Sequence, residues 1–332
     1  MNYKNYRDSL LSFSRQFEKK ALQTSNLSAL RKGARPDGIV LVGMGGSGLA
    51  GDVLEILKKE IRLPIPLVVW KNYHLPETSF NRPLFIFSSF SGNTEETISG
   101  LTDLLSKNGK KNFLLGVVGT GGILKSIAEE YGIPLVLFPA EDLTPREALG
   151  YSVNSVITLL KVCFPSLRAA KVFSGNLHPK RFETEGEKLA VVGRNRMVVV
   201  YTDSSFAGIG YTWKIFLNET AKHPAFTGVI PENDHNEIGS FEKLSSRFSA
   251  IFLFDPKEGI RMRKKMLFTK QALAHCGVKT AEVKLYGKTE TEKLWNSIVL
   301  SEWMSLSLAR LKKVEPRRTE FIEHFKKTMK GA

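Results

Sequence analysis

The chain has 332 residues, of which 42% are hydrophobic, 24% charged and 10% aromatic, a composition that excludes a disordered, collagen-like or membrane-embedded protein. Its length suits two medium domains. The formal net charge of +15 is scattered over several segments, among them 261–265 and 312–318, without the aromatic-interleaved strand of an RNA-binding module, so it describes a solvated basic surface that attracts anionic substrates rather than a nucleic-acid partner.

In chain order, "MNYKNYRDSLLSFSRQF" lacks an apolar core of signal-peptide length, and no later run reaches the ~20 apolar residues that span a bilayer. A cytoplasmic protein without a membrane partner is expected. Strands are then predicted over 39–42, 65–70, 84–88, 113–118 and 135–138, alternating with helices over 49–59, 94–105 and 123–131. This alternation predicts a doubly wound α/β unit with a mainly parallel sheet. A long apolar helix is predicted over 146–162, and the following "CFPSLRAAKVFSGNLHPKRFETEGEKLA" mixes Pro, Gly and charge as a linker would. Two domains, 1–160 and 161–332, follow.

The second half begins a new cycle, with strands over 197–201, 249–254 and 281–285 and helices over 206–222, 261–275 and 291–311. "VVVYTDSSFAGIGYTWK" echoes "IVLVGMGGSGLAGDVLE": an apolar strand, a turn of small residues and a helix, which suggests duplication. Cys163 and Cys276 stand far apart in no metal-binding spacing, so neither a disulfide nor a zinc site is expected, and both should be small buried residues.

Two loops of the first half carry chemistry. In "VGMGGSGLAGD", Gly43, Gly45 and Gly48 stand in the G-x-G-x-x-G register that lets backbone N–H groups approach a phosphate at a helix N-terminus. A dinucleotide site also needs an acidic residue ~20 positions on, and the second strand ends instead in Trp70 and Lys71. The Gly-Lys pair of a triphosphate loop is missing as well. The next strand ends in "SSFSGNTEET", where Ser88, Ser89, Ser91 and Thr94 could surround a phosphate monoester with hydroxyl and amide donors. The same residues could equally be a helix cap, with Asn93 or Thr94 capping and Glu95 and Glu96 complementing the dipole. Both loops lie at carboxyl ends of strands in one α/β unit, where open sheets bind ligands, and this favours the phosphate.

"GMGGSG" followed by "SFSGNTEET" resembles the sugar isomerase (SIS) domain, a flavodoxin-like fold that binds phosphosugars. With "TPREALGYS", "WKIFLNETAKHPAF" and "PENDHNEI" in this order, the chain resembles the bifunctional phosphoglucose/phosphomannose isomerases from about residue 35 onward. The resemblance implies two flavodoxin-like SIS subdomains, each a mainly parallel sheet flanked by helices, with phosphate bound in the first subdomain. It implies substrate binding by Gly46, Ser47, Ser89, Ser91 and Thr94, and by Thr319, which matches a threonine linked to accepting mannose phosphate. It implies catalysis by Glu219 as base, His235 for ring opening, Arg146 beside the enediolate and Lys326 near the C-terminus, with Lys327 as the alternative lysine. A phosphosugar substrate, a homodimer sharing His235, and no metal or cofactor are implied too. Thr220 and His223 depart from the family pattern, in which Asn and an apolar residue are more usual.

The chemistry fits these residue types. Moving a proton between C1 and C2 through a cis-enediol needs one base, and a carboxylate in a partly dry pocket can both abstract and return it. Ring opening takes a proton from O1 and gives one to O5, work suited to histidine. His223, close to Glu219, is the rival for that task, and Arg146 could instead brace the helix that it begins. The rival function is a non-catalytic phosphosugar-binding regulator, which would need neither base nor ring-opening group and would usually add a DNA-binding helix-turn-helix; a nucleotide-dependent oxidoreductase is third.

Overall fold

A computed structural model describes residues 2–31, 35–106, 112–139, 142–241 and 245–330. The chain divides into two compact units. The first joins Ser12–Leu177 with Gly287–Trp295, and the second joins the residues up to Leu11, including helix α1 (Tyr3–Leu11), with His178–Tyr286 and the residues from Asn296 onward.

Among its described residues the first unit contains β1 (Gln23–Ser25), β2 (Gly38–Val42), α2 (Gly45–Leu57), β3 (Leu67–Trp70), β4 (Pro83–Ser89), α3 (Glu95–Ser106), β5 (Leu114–Gly119), α4 (Gly122–Glu130), β6 (Leu135–Leu137) and α5 (Leu149–Cys163). Its sheet runs β1-β6-β5-β4-β2-β3 and is parallel except for β1, which pairs antiparallel with β6. From β2 onward the spatial order is two-one-three-four-five, that of a flavodoxin-like doubly wound sheet. β2 and β4 are buried along their whole length because helices cover both faces. Val40, Val42, Phe85, Phe87 and Val117 meet Leu101 and Leu104 of α3 and Leu124 and Ala128 of α4. On the other face α5 lies against β5 and β6 and against α2. Each fully buried Leu, Val or Phe contributes about 1.5–3 kcal/mol.

The second unit continues with α6 (Glu183–Gly193), β7 (Met197–Asp203), α7 (Ala207–Thr220), β8 (Ala225–Ile230), β9 (Phe248–Phe254), α8 (Ile260–His275), β10 (Lys279–Lys284), α9 (Glu290–Lys312), whose first residues to Trp295 group with the first unit, and α10 (Glu320–Lys330). Its parallel sheet runs β10-β9-β7-β8, so in chain order it repeats two-one-three-four. The same winding in both halves supports the duplication that the sequence echo suggests. Tyr201, Phe252 and Phe254 pack on Met266 and Leu273 of α8, while α7 covers β7 and β8 on the other face. α1 is anchored here: Tyr6 is fully buried, and Arg7 pairs with Glu183 at 2.9 Å.

Several details differ from the sequence reading, β1 among them. Residues 183–190, read as linker, belong to α6 (Glu183–Gly193), and Ala225–Ile230, where no element is predicted, is a strand. Cys276 is only half-buried, whereas Cys163 is buried and its thiol is pushed up to about 11 by that burial.

Candidate active site

In the first unit the chain leaves β2 for β3 on one side and then crosses to β4 on the other, so the loops after β2 and β4 meet at the point where the strand order reverses. There the hydroxyls are wired to the backbone. Ser47 Oγ accepts the Phe90 N–H at 2.8 Å. Ser89 Oγ accepts the Gly92 N–H at 3.1 Å and shares a hydrogen bond of 2.8 Å with Thr94 Oγ1. Ser91 Oγ accepts the Asn93 N–H at 3.2 Å. A hydroxyl has one proton to donate and lone pairs to accept with; in Ser47, Ser89 and Ser91 an acceptor position is taken by backbone. The Ser89–Thr94 pair uses one of its two protons internally. The remaining protons are what an anion would need.

Ser47 and Ser89 are buried, Thr94 is half-buried and Ser91 is exposed, so the cluster runs from the interior to the surface. The loops are drawn together by close backbone approaches. Gly92 has φ +67°, and a Cβ on it would lie 1.7 Å from the Gly121 carbonyl oxygen. A Cβ on Gly46 would lie 3.0 Å from the Arg146 amide nitrogen. Arg146, 1% exposed, therefore sits beside the glycine loop, in the turn before α5 rather than within that helix. Asn93 accepts the Ile123 N–H at 3.0 Å at the start of α4, a brace between neighbouring loops. Lys71, the residue that could have favoured a nucleotide 2′-phosphate, pairs with Asp52 of α2 at 2.6 Å. Burial nevertheless holds the Asp52 carboxyl above its ordinary range.

In the second unit Glu219 is half-buried in the last turn of α7. It lines a pocket of about 430 Å³ with Asn218, Lys222, Glu315, Arg318 and Thr319. Glu219 and Thr319, distant in sequence, thus share one cavity. The Tyr6 hydroxyl donates to Glu302 Oε2 at 3.3 Å and lies 3.2 Å from Thr220 Oγ1, so Thr220, the departure from the family pattern, is tied to the N-terminal helix. His223 is 5% exposed, with Nε2 2.5 Å from the Arg196 carbonyl oxygen, and burial lowers its pKa. It is buried and is not among the residues that line this pocket.

His235 ends the 3₁₀ turn Glu232–His235 after β8. Asn233 accepts the Val229 N–H at 2.6 Å, Asp234 accepts from the Thr269 hydroxyl at 2.7 Å, and Glu237 accepts from the Tyr201 hydroxyl at 2.6 Å. These inward bonds leave His235 and Asn236 exposed. Lys326 is exposed on α10, and the side chain of Lys327 lies outside the described ones. In the hydroxyl-rich turn "TDSSFAG", Asp203 caps its own turn by accepting the Ser205 N–H at 2.6 Å. Sequence reasoning missed Lys222 and Tyr6, whose partners lie far away in the chain. Among the described residues no cluster of three or more His, Cys, Asp or Glu could hold a metal ion, and no helix is long and apolar enough to cross a membrane.

Residues 182–329 match the family described as the bacterial phospho-glucose isomerase C-terminal SIS domain. A bifunctional phosphoglucose/phosphomannose isomerase of Aquifex aeolicus is 30% identical over 296 residues, covering 88% of this chain and 90% of that protein. One from Caldicellulosiruptor bescii is 29% identical, covering 96% and 97%. Among solved structures, a hypothetical protein of Thermus thermophilus superposes with a TM-score of 0.69 at 15% identity, covering 99% of this chain and 93% of that one, a likeness of fold.

Proposed function

This chain belongs to the bifunctional phosphoglucose/phosphomannose isomerase family, and from that premise we propose how its residues interconvert glucose 6-phosphate and mannose 6-phosphate with fructose 6-phosphate. The two aldoses differ only at C2, and the ketose is their common product.

Ser47, Ser89, Ser91 and Thr94, with the Gly46 backbone, bind the phosphate; the backbone N–H groups held by the three serine hydroxyls, and the Thr94 hydroxyl joined to that of Ser89, support this role. Glu219 removes the C2 proton of the open-chain aldose and returns a proton to C1, and the reverse reaction exchanges the two positions. Arg146, through its guanidinium, stabilises the negative charge that develops on the enediolate. His235 takes the O1 proton and donates one to O5 to open the ring. Its exposure supports action in a partner's site, and hence a homodimer. Thr319 contacts the sugar, and Lys326 completes the set. The cycle uses acid–base groups alone. Phosphosugars do not cross membranes unaided, which supports a cytoplasmic enzyme.

The observation that carries this reading is Glu219, a half-buried carboxylate on the wall of a 430 Å³ pocket, for which a phosphosugar-binding regulator has no use. With fructose 6-phosphate and a metal chelator in D2O, the protein should form glucose and mannose 6-phosphates labelled with deuterium at C2. Glu219→Gln should lower the rate about 10²- to 10⁴-fold. Unchanged turnover in that variant would remove Glu219 as the base, and a wild-type protein that binds the sugar without turnover would be the regulator.

A further inference from the structure

Lys222 has no role in the chemistry above, yet its conformation is costly. It follows α7 with φ +48°, in the left-handed region where a helix usually ends on glycine. A lysine held there needs a compensating interaction, and its ammonium reaches back to the backbone. Nζ donates to the carbonyl oxygens of Glu219 at 2.8 Å, Glu315 at 2.5 Å and Pro316 at 3.3 Å. An ammonium has three protons to give. Lys312, in the last turn of α9, donates in the other direction to the Lys222 carbonyl at 2.5 Å. Two lysines thereby fasten the helix end that carries Glu219 to the segment 312–316, which leads directly into Arg318, Thr319 and α10.

Glu219 and Thr319 line the same pocket, but they sit on elements joined only through the fold. We propose that Lys222 is a positioning residue for the isomerisation: it sets the separation of Glu219 from the Thr319 segment and, through that separation, the ratio in which glucose and mannose phosphates are turned over. The inference rests on Glu219 and Thr319 acting on the sugar as described above. Epimers that differ only at C2 present their C2 hydrogen differently to one base, so a displacement of the base relative to the opposite wall affects them unequally. A misplacement of about 1 Å can cost 10²-fold in rate.

Three full-length variants test it. Lys222→Met removes the charge and keeps most of the stem, Lys222→Gly also relieves the backbone, and Lys222→Arg restores a cationic donor. In Met and Gly variants kcat should fall about 10- to 100-fold with KM changed far less, and the mannose-to-glucose product ratio from fructose 6-phosphate should shift by about threefold or more. Arg should recover most of both. Amide hydrogen exchange over 314–325 should quicken in the Met and Gly variants and return toward wild type in the Arg variant. Exchange that stays unchanged in both Met and Gly variants refutes the fastening, whatever the kinetics. Faster exchange with wild-type kcat and product ratio refutes the positioning role. Glu219→Gln, assayed alongside, separates the two ideas: if it keeps wild-type turnover, the assignment of the base fails, while the exchange data still decide whether Lys222 holds the segment.

Discussion

Ser47→Ala is the sharpest probe of the hydroxyl cluster, because it removes two interactions of different kinds. One is the hydroxyl proton assigned to the substrate phosphate; a hydrogen bond to a charged group contributes roughly 1.5–3 kcal/mol, a factor of ~10 to ~150 in affinity. The other is the acceptor for the Phe90 N–H at 2.8 Å, whose loss leaves a half-buried donor unpaired at a cost of about 1 kcal/mol. The phosphate lies away from the C1–C2 bond that reacts, so the first loss belongs mainly to KM and only weakly to kcat. Initial rates with fructose 6-phosphate, with inorganic phosphate as a competitive inhibitor, should show KM and Ki rising together at least tenfold. The melting temperature should fall by only about 2–4 °C. Ser88→Ala is the control: Ser88 is 1% exposed and donates to the Ser47 carbonyl at 3.2 Å, so its loss should lower stability and leave KM alone. If Ser47→Ala behaves like Ser88→Ala, Ser47 is a structural residue and the phosphate assignment at this loop is wrong.

Two further outcomes can be checked on the same protein. Gly92→Ala places a Cβ 1.7 Å from the Gly121 carbonyl oxygen at φ +67°, so the loops after β4 and β5 must separate; calorimetry should show a loss of more than about 2 kcal/mol, with phosphate affinity falling in parallel. Glu258 is pushed up to about 7, first by burial and then by Asp203 and Asp255, against the pull of Arg263 at 3.6 Å. A carboxyl with a raised folded-state pKa adds stability that is complete below its unfolded value near 4.5 and is lost as pH rises through about 7. Glu258→Gln should therefore come close to wild type at pH 5 and exceed it at pH 8 by on the order of 2 kcal/mol, a figure discounted for solvent screening. An equal difference at both pH values would show that the carboxyl is not titrating between them.

The winding of both units and the positions of the glycine- and serine-rich loops after β2 and β4 were legible because their signals are local. An apolar strand, a glycine or serine turn and a helix announce themselves within about fifteen residues. β1 left no such trace, since Gln23–Ser25 is polar, exposed along its length and held only by edge pairing. α6 was hidden by its two glycines and its charge: only Gly186, Leu189, Ala190 and Gly193 are buried, and Gly186 is there because Trp303 leaves no room for a side chain. β8 was masked by Pro224 and the small residues around it, and its burial alternates irregularly. At the site, Ser47, Ser89 and Glu219 could be singled out by motif. The roles of Lys222 and Tyr6 could not, because their partners, Pro316 and Glu302, lie 94 and 296 positions away.

The placement of α1 bears on how the molecule is made. A ribosome releases residues 12–177, the bulk of the first unit, as one continuous stretch, and these can organise while the rest is still being synthesised. Tyr6 emerges before all of them but has to wait for Glu302, and Arg7 for Glu183. The earliest helix is therefore among the last to find its seat, and the turn of α7 that bears Glu219 is completed only when almost the entire chain has left the tunnel. A nascent chain arrested before α9 would carry the loops after β2 and β4 but lack Glu302, the partner that seats Tyr6 beside Thr220 at the end of α7.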